Sequence, residues 1–235
     1  MTDYPKPLPH GAITEVTAGV HCVRGTFRMG PGVMVGRTMT VIDNSEGLVV
    51  FNAVRLDDAS QAKLDALGEV KHLVKLSDSH GIDEPFYAAR YQPTLWSLPG
   101  AKLGELAPDE ILTGEGPVKG GVVVDYGETA GWRESAYWVP MGGGTLVTCD
   151  AVQNCEDTEF ASFGGKLMTS VMGFKGGVVV PPMWRRFHKL SGAKLSNKLH
   201  RLTELSFEHL VTGHGPPVIG GADARLRSAI QNASA

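Results

Sequence analysis

Three side chains that could bind a metal ion or carry a proton stand where apolar runs of the sequence end. His214 lies in a Gly-His-Gly-Pro-Pro turn, Asp150 follows the apolar run 144–149, and His80 lies in the polar loop 77–84, whose sequence is Ser-Asp-Ser-His-Gly-Ile-Asp-Glu. Loops that follow strands are where α/β proteins most often carry their chemistry. We therefore expect these three residues to reach one site.

Loop 77–84 also contains three carboxylates, Asp78, Asp83 and Glu84. Asp78 or Asp83 is predicted to act as a fourth metal ligand or as a general base. Asp83 and Glu84 equally suit the first turn of the helix that Pro85 is expected to open, because negative charge is favoured at a helix N-terminus. Both interpretations of these acids stay open at this point.

The same residues also have structural interpretations. The His214 imidazole could bond a backbone carbonyl and stabilise its turn, and Asp150 could cap the turn after its strand. Cys149 precedes Asp150, and alternation along a strand points neighbouring side chains to opposite faces, so we expect the thiol to lie in the core. Ser77 and Ser79 lie outside a G-x-S-x-G motif, and a serine nucleophile is therefore not favoured.

The elements that must position these residues follow from hydrophobic patterning and turn residues. The predicted strands are 12–16, 19–24, 38–43, 47–54, 70–76, 121–126, 135–139, 144–149 and 208–212. The predicted helices are 59–67, 85–91, 193–205 and 222–232. Apolar residues at helical spacing predict helices 193–205 and 222–232, and capping residues predict where helix 59–67 begins.

Segment 160–184 is rich in glycine, methionine and aromatic residues but shows no clean periodicity. It is predicted to be a long mobile segment without regular structure. As a lid over the site it would favour a small hydrophobic molecule as ligand, since its side chains are large and adaptable. The alternative is that the segment forms the interface of a homodimer.

Size and composition limit the possible classes of protein. A chain of 235 residues with 42% hydrophobic residues suits one domain over residues 1–235, with an extended N-terminal lead at 1–11. The formal charge of −3 gives no basis for nucleic-acid binding. We expect no membrane partner and a cytoplasmic protein, because no long apolar run occurs and the three cysteines suggest no disulfide framework.

The pattern of strands and loops over residues 12 to 232 resembles the metallo-β-lactamase superfamily. Members of that family are αββα sandwiches with a metal site at one edge of the sheets. In the family an H-x-H-x-D-H motif follows the strand matched here by 70–76, an Asp ends the strand matched by 144–149, and a last His lies in a Gly-His-Gly turn. The resemblance implies the same sandwich here, with Asp150 and His214 as metal ligands.

The chain departs from the family pattern in the first motif. Loop 77–84 offers one histidine where the family motif has three. The family also has a further histidine in mid-chain, and residues 127–135 contain none. We therefore predict at most one divalent ion, zinc, iron or manganese, held by His80, Asp150 and His214. Such an ion would activate water against an ester, thioester or lactone.

The competing interpretation is a binding or scaffolding protein that kept the sandwich, holds no metal and has no catalytic activity. Whether the chain is an enzyme is thus open at the level of sequence, although the ligand set favours a metal-dependent hydrolase.

Overall fold

Most of the predicted strands and helices are confirmed by a computed structural model, which describes residues 4–104 and 106–235. Residues 1–3 of the predicted N-terminal lead lie outside the described residues. The strands are β1 (Thr14–Thr17), β2 (Val20–Gly30), β3 (Val33–Asn44), β4 (Gly47–Phe51), β5 (Val70–Lys75), β6 (Thr94–Ser97), β7 (Glu110–Ile111), β8 (Val122–Asp125), β9 (Ser135–Val139), β10 (Thr145–Val147), β11 (Gln153–Asn154), β12 (Val178–Val179), β13 (His209–Val211) and β14 (Val218–Ile219). The helices are α1 (Asp58–Leu67), α2 (Glu84–Tyr91), α3 (Phe163–Val171), α4 (Pro182–Phe187), α5 (Gly192–Glu204) and α6 (Ala222–Ser234).

In the described part of the chain the strands form two large sheets and one short ribbon. β1 to β7 lie side by side in chain order, antiparallel from β1 to β4 and parallel from β4 to β7. The second sheet has the order β14-β13-β10-β9-β8, in which β10 and β13 are parallel neighbours. β11 pairs with β12 in the ribbon.

Both large sheets bury both of their faces, which gives three apolar layers. On β4, Val49 packs between the sheets, whereas Leu48 points the other way, toward α1 and α2. On β10, Val147 packs between the sheets, whereas Leu146 points toward α5 and α6. Because side chains alternate along each strand, this pattern produces the predicted αββα sandwich, with helices on both outer faces.

Local signals set the boundaries of α1. The helix begins after Asp57, whose Oδ1 accepts a hydrogen bond from the backbone N–H of Ser60 at 2.8 Å. A side-chain acceptor at this position satisfies an amide that the helix itself leaves free. The helix ends before Gly68, as predicted.

The prediction that segment 160–184 lacks regular structure is wrong. The segment contains α3, β12 and the start of α4. Ser162 caps α3 by accepting a hydrogen bond from the backbone N–H of Gly165 at 3.2 Å. A Cβ atom at Gly165 would overlap the carbonyl oxygen of Met34. The glycines that obscured the helical pattern therefore permit close packing of α3 on β3.

The β2–β3 hairpin is longer than predicted, with pairing that extends from Val20 and Ile42 to Gly30 and Val33. Glycines at 25, 30 and 36 interrupt the apolar alternation that marks a strand. The extension matters for the site, because it places the backbone of Gly36 beside the C-terminal histidine turn. In the described residues no helix is both long and apolar enough to cross a membrane.

Candidate metal centre

Loops at one edge of the sandwich bring His80, Asp150 and His214 together. Asp150 and His214 follow β10 and β13, and these strands are parallel neighbours, so both residues emerge at the same end of the second sheet. His80 follows β5 of the first sheet. A hydrogen bond joins the two sheets at this edge. Nδ2 of Asn52, which follows β4, donates to the carbonyl of Thr148, which follows β10, at 3.1 Å.

The three residues present one ligand atom each to a common point. The Nε2 atoms of His80 and His214 lie 3.3 Å apart, and Oδ1 of Asp150 lies 3.4 Å from the first and 3.2 Å from the second. With metal–ligand bonds of roughly 2.0–2.1 Å, two ligand atoms of a tetrahedral site lie about 3.3–3.4 Å apart. The spacing of these atoms is therefore that of one face of a tetrahedral zinc site.

The His214 imidazole is oriented for this role by the β2–β3 hairpin. Its Nδ1 lies 2.7 Å from the carbonyl oxygen of Gly36, an acceptor only, so Nδ1 carries the proton in this hydrogen bond. The neutral tautomer then leaves the lone pair of Nε2 pointing into the cluster, as metal-bound histidines require. The carbonyl contact expected for a structural turn histidine is thus present, and it serves the metal-binding geometry as well.

The turn that carries His214 is fixed by its neighbours. Thr38 of β3 donates its backbone N–H to Gly213 at 2.8 Å and its hydroxyl to the carbonyl of Gly215 at 2.7 Å. Gly215 has φ +90°, and a Cβ atom there would overlap the carbonyl oxygen of Asn154. Only glycine fits this position without moving the histidine.

The Asp150 carboxylate is held by side chains from loop 77–84. The hydroxyl of Ser79 donates to Oδ2 of Asp150 at 2.5 Å, which leaves Oδ1 facing the imidazoles. The hydroxyls of Ser77 and Ser79 are 2.7 Å apart. Ser79 therefore orients the carboxylate directly, and Ser77 contacts the hydroxyl of Ser79. The loop itself is secured by Lys75, whose Nζ donates to the carbonyl of His80.

Charge in the cluster favours an ionised carboxylate. Burial alone would raise the pKa of Asp150, but the imidazoles of His80 and His214 outweigh it and hold this pKa well below its ordinary value. Burial alone would lower the pKa of His214, but its contact with Asp150 outweighs burial and raises this pKa above its ordinary value. The trio therefore attracts positive charge, which a proton or a metal cation could supply.

The structure does not bring Asp78 or Asp83 into the cluster. Asp78 accepts hydrogen bonds from the backbone N–H groups of Lys102 and Arg133, at 2.7 and 3.0 Å, and so ties two loops together. Asp83 is buried and binds the guanidinium of Arg37. The geometry gives no support to either acid as a ligand or general base. Sequence spacing could not show this, because their partners are distant along the chain.

Asp83 and Glu84 lie at the N-terminus of α2, as the helix-start interpretation predicted. Asp83 occupies the N-cap position of α2, but its side chain caps no amide of that helix and binds the backbone N–H of Arg55 at 2.7 Å instead. Glu84 is buried in the first turn, and burial raises its pKa above the ordinary value. Both acids thus lie at the start of the helix and outside the cluster.

The Cys149 thiol points away from the cluster, as the alternation predicted. It is fully buried between the sheets, and its Sγ donates to Oδ1 of Asn52 at 3.3 Å. Burial raises its pKa well above the ordinary value, so the thiolate needed for nucleophilic catalysis is disfavoured.

Glu134 is a buried acid beside the site that sequence reasoning missed. Its carboxylate accepts hydrogen bonds from the backbone N–H of Ala151 at 2.6 Å and from Nε1 of Trp184 at 2.8 Å. Burial, reinforced by the charge of Asp150, raises its pKa to about 8. An acid within the pattern Trp-Arg-Glu-Ser-Ala-Tyr-Trp was the available signal, but its partners lie far along the chain.

The residues present fit one metal ion and not two. In the described residues, His80, Asp150 and His214 form the one group of histidine, cysteine or acidic side chains able to share an ion. Loop 77–84 supplies no other histidine, and its acids Asp78 and Asp83 are bound elsewhere. A second ion would lack enough donors to replace its hydration shell.

Two cavities flank the three residues. The first, of about 310 Å³, lies between the β2–β3 hairpin and α3 and is lined by apolar side chains, with His80, Asp150 and His214 at one end. The second, of about 360 Å³, lies beside Trp132 and α4 and also reaches Asp150. Both are of the size of small-molecule sites.

Comparison with solved structures identifies the fold. The chain superposes on DIM-1 metallo-β-lactamase exposed to ceftazidime with a TM-score of 0.61 and 13% identity, over 99% of this chain and 100% of that one. The mono-zinc form of the metallo-β-lactamase FIM-1 from Pseudomonas aeruginosa gives a TM-score of 0.59 and 15% identity, over 98% of each chain. VMB-1 gives a TM-score of 0.61 and 12% identity, over 98% of this chain and 100% of that one.

The chain therefore has the metallo-β-lactamase fold, as the resemblance implied. No protein-family model and no curated protein sequence matches it. Identities of this size establish the fold alone, so the chemistry has to be argued from the site.

Proposed function

We propose that this protein is a hydrolase that binds one divalent metal ion at His80, Asp150 and His214 and cleaves an ester, thioester or lactone. The proposal depends on one observation: three ligand atoms from three separate loops lie 3.2, 3.3 and 3.4 Å apart. Two imidazoles and a carboxylate form a ligand set used by catalytic zinc and leave a fourth position for water or substrate.

The metal would supply Lewis acidity, lowering the pKa of water and polarising a carbonyl. The chain's own residues prepare the site for it. Gly36 fixes the tautomer of His214, and Ser79 directs one oxygen of Asp150 toward the imidazoles. Such supporting hydrogen bonds set the orientation of metal ligands. In the overall reaction water adds OH to the acyl carbon, the bond to the leaving oxygen or sulfur breaks, and the leaving group takes the remaining proton.

The metal is proposed to be zinc, with iron and manganese as alternatives that nitrogen and oxygen donors also accept. One of the structural neighbours is described in a mono-zinc form. A β-lactam substrate is not part of the proposal, because the likeness to β-lactamases establishes the fold only. A reducing compartment such as the cytoplasm stays a prediction, with which the three free cysteines are compatible.

A metal-free binding protein is the competing candidate, favoured by the single histidine of loop 77–84. The experiment that separates the two is hydrolysis of aryl esters, thioesters and lactones by zinc-loaded and chelator-treated protein. The proposal predicts activity that chelator abolishes, zinc restores and His214→Ala removes. His200→Ala is the matched control, because His200 is exposed on α5, where it pairs with Glu204. Activity indifferent to chelator and to His214→Ala would contradict it.

A further inference from the structure

The two cavities beside the candidate metal centre have different linings and share the residues between them. Ser79, Asp150 and Gln153 belong to the wall of both cavities, as do Phe174 and Met183. A molecule whose reacting bond lies at Asp150 would therefore extend into one cavity on each side. The lining of each cavity then indicates which part of the molecule it accepts.

The first cavity is rich in flexible apolar side chains, which lie beside the rings of Phe27, Phe160 and Phe174. Met29, Met168, Met172 and Met183 contribute to its wall, which is half of the eight methionines in the chain. Methionine has three rotatable bonds and a polarisable sulfur, so a methionine-lined wall adapts to ligands of variable shape. Its polar residues include His80, Asp150 and His214 and, separately, Arg24, which forms ion pairs with Asp157 and Glu159. Such a cavity suits an unbranched alkyl chain.

The second cavity is lined by rigid aromatic rings. Trp132 and Phe187 meet edge to face with ring centroids 5.7 Å apart, and Trp184 and His188 lie with ring centroids 4.5 Å apart. Rings held in this way offer flat faces and edges to another ring. This cavity therefore suits a planar ring.

We propose that the substrate has two unlike halves: an aliphatic acyl chain that occupies the methionine-lined cavity and a ring-bearing leaving group that occupies the aromatic cavity. This inference rests on the proposed function for the reaction, but the two cavities can be tested without it. The bond that breaks joins the acyl carbon to the leaving oxygen or sulfur, at the wall that the cavities share.

The binding test uses metal-free protein, n-decanol and 2-naphthol. Isothermal titration calorimetry measures the affinity for each alcohol, alone and in the presence of a saturating amount of the other. The proposal predicts that both alcohols bind at the same time. Met168→Trp should weaken the binding of n-decanol roughly tenfold and leave the binding of 2-naphthol unchanged. Trp132→Ala should weaken the binding of 2-naphthol roughly tenfold and leave the binding of n-decanol unchanged. Met172→Phe, at the residue that follows α3, provides a second variant if Met168→Trp does not fold. Mutual competition of the alcohols, or equal effects of each variant on both, would overturn the proposal.

The kinetic test uses zinc-loaded protein and four esters, acetate and decanoate each joined to ethanol or 2-naphthol. Met168→Trp should lower kcat/KM for both decanoates about tenfold and leave both acetates within about twofold. Trp132→Ala should lower kcat/KM for both naphthyl esters and spare both ethyl esters. The opposite pairing of variants and substrates would overturn the assignment of the halves. Absence of all hydrolysis together with simultaneous binding of the alcohols would reject the proposed function while supporting the two-cavity inference.

Discussion

The Nε2 atoms of His80 and His214 lie 3.3 Å apart, although the two residues are 134 positions apart in the sequence. Two nitrogen lone pairs and the Asp150 carboxylate repel one another at such distances unless a proton or a cation lies among them. The same atoms have the spacing of tetrahedral ligands. A cation among the three ligand atoms would therefore stabilise the cluster.

Ser79→Ala removes the hydroxyl that donates to Oδ2 of Asp150. The carboxylate then loses the hydrogen bond that fixes its orientation, and we expect zinc affinity to fall about 10- to 100-fold with the number of bound ions unchanged. Competition with a zinc-binding dye measures this. Ser191→Ala is the matched control, since Ser191 is exposed and its side chain caps no amide. Equal affinities of the two variants would contradict the supporting role of Ser79.

Asp83→Ala tests whether Asp83 serves the buried ion pair or binds the metal ion. The change leaves the Arg37 guanidinium without its partner, and loss of one member of a buried pair costs about 3–5 kcal/mol of unfolding free energy. Zinc stoichiometry should stay that of the parent protein, because Asp83 lies outside the cluster. Asp58→Ala, at an exposed site on α1, should cost less than about 1 kcal/mol. Loss of zinc in Asp83→Ala with little loss of stability would restore Asp83 as a ligand.

The raised pKa of Glu134 predicts a stability that depends on pH in the metal-free protein. The folded state keeps the proton up to about pH 8, whereas the unfolded chain releases it near 4.5. Between these values the folded state binds more protons, so the free energy of unfolding should fall as pH rises, by up to about 1.4 kcal/mol per pH unit. Urea denaturation at pH 5, 6, 7 and 8 measures the slope.

Glu134→Gln should flatten that slope, since an amide does not titrate, whatever its effect on overall stability. Parallel pH profiles of the variant and the parent protein would show that Glu134 is ionised in the folded state.

Gly215→Ala tests the turn that carries His214. The added Cβ would overlap the carbonyl of Asn154 at a residue with φ +90°. We expect a loss of several kcal/mol, or displacement of the turn with loss of metal binding. Gly220→Ala is the matched control, because Gly220 has φ +77° and open space around its Cβ position, so strain alone should cost about 1–2 kcal/mol. Thermal unfolding compares them, and similar losses would argue against a steric constraint at Gly215.

Local patterns in the sequence allowed the strands and the three central residues to be predicted, and the resemblance to the metallo-β-lactamase superfamily implied the sandwich. Apolar runs marked β5, β10 and β13, and the turns after them carry His80, Asp150 and His214. The helix over 163–171 was missed because its glycines pack against β3, a contact that no periodicity reveals. The supporting roles of Gly36 and Ser79 were missed for a related reason, since a carbonyl and a hydroxyl acquire meaning only from partners far along the chain.

The acids of loop 77–84 show the limit of composition as a guide to chemistry. Asp78 and Asp83 have the residue type and the sequence position of metal ligands. In the fold, backbone amides of other loops bind the first and a guanidinium binds the second. The local sequence does not show that these carboxylates are already bound by distant groups. A set of metal ligands therefore has to be identified from side chains that lie close together in the fold.

Titration of chelator-treated protein with Co²⁺, followed by visible absorption spectroscopy and elemental analysis, tests the central claim most directly. One equivalent should bind with the intense absorption of a tetrahedral site, and His80→Ala, Asp150→Ala and His214→Ala should each abolish it while His200→Ala does not. Absence of bound metal in the parent protein, or binding that survives all three substitutions, would contradict a metal centre formed by these residues.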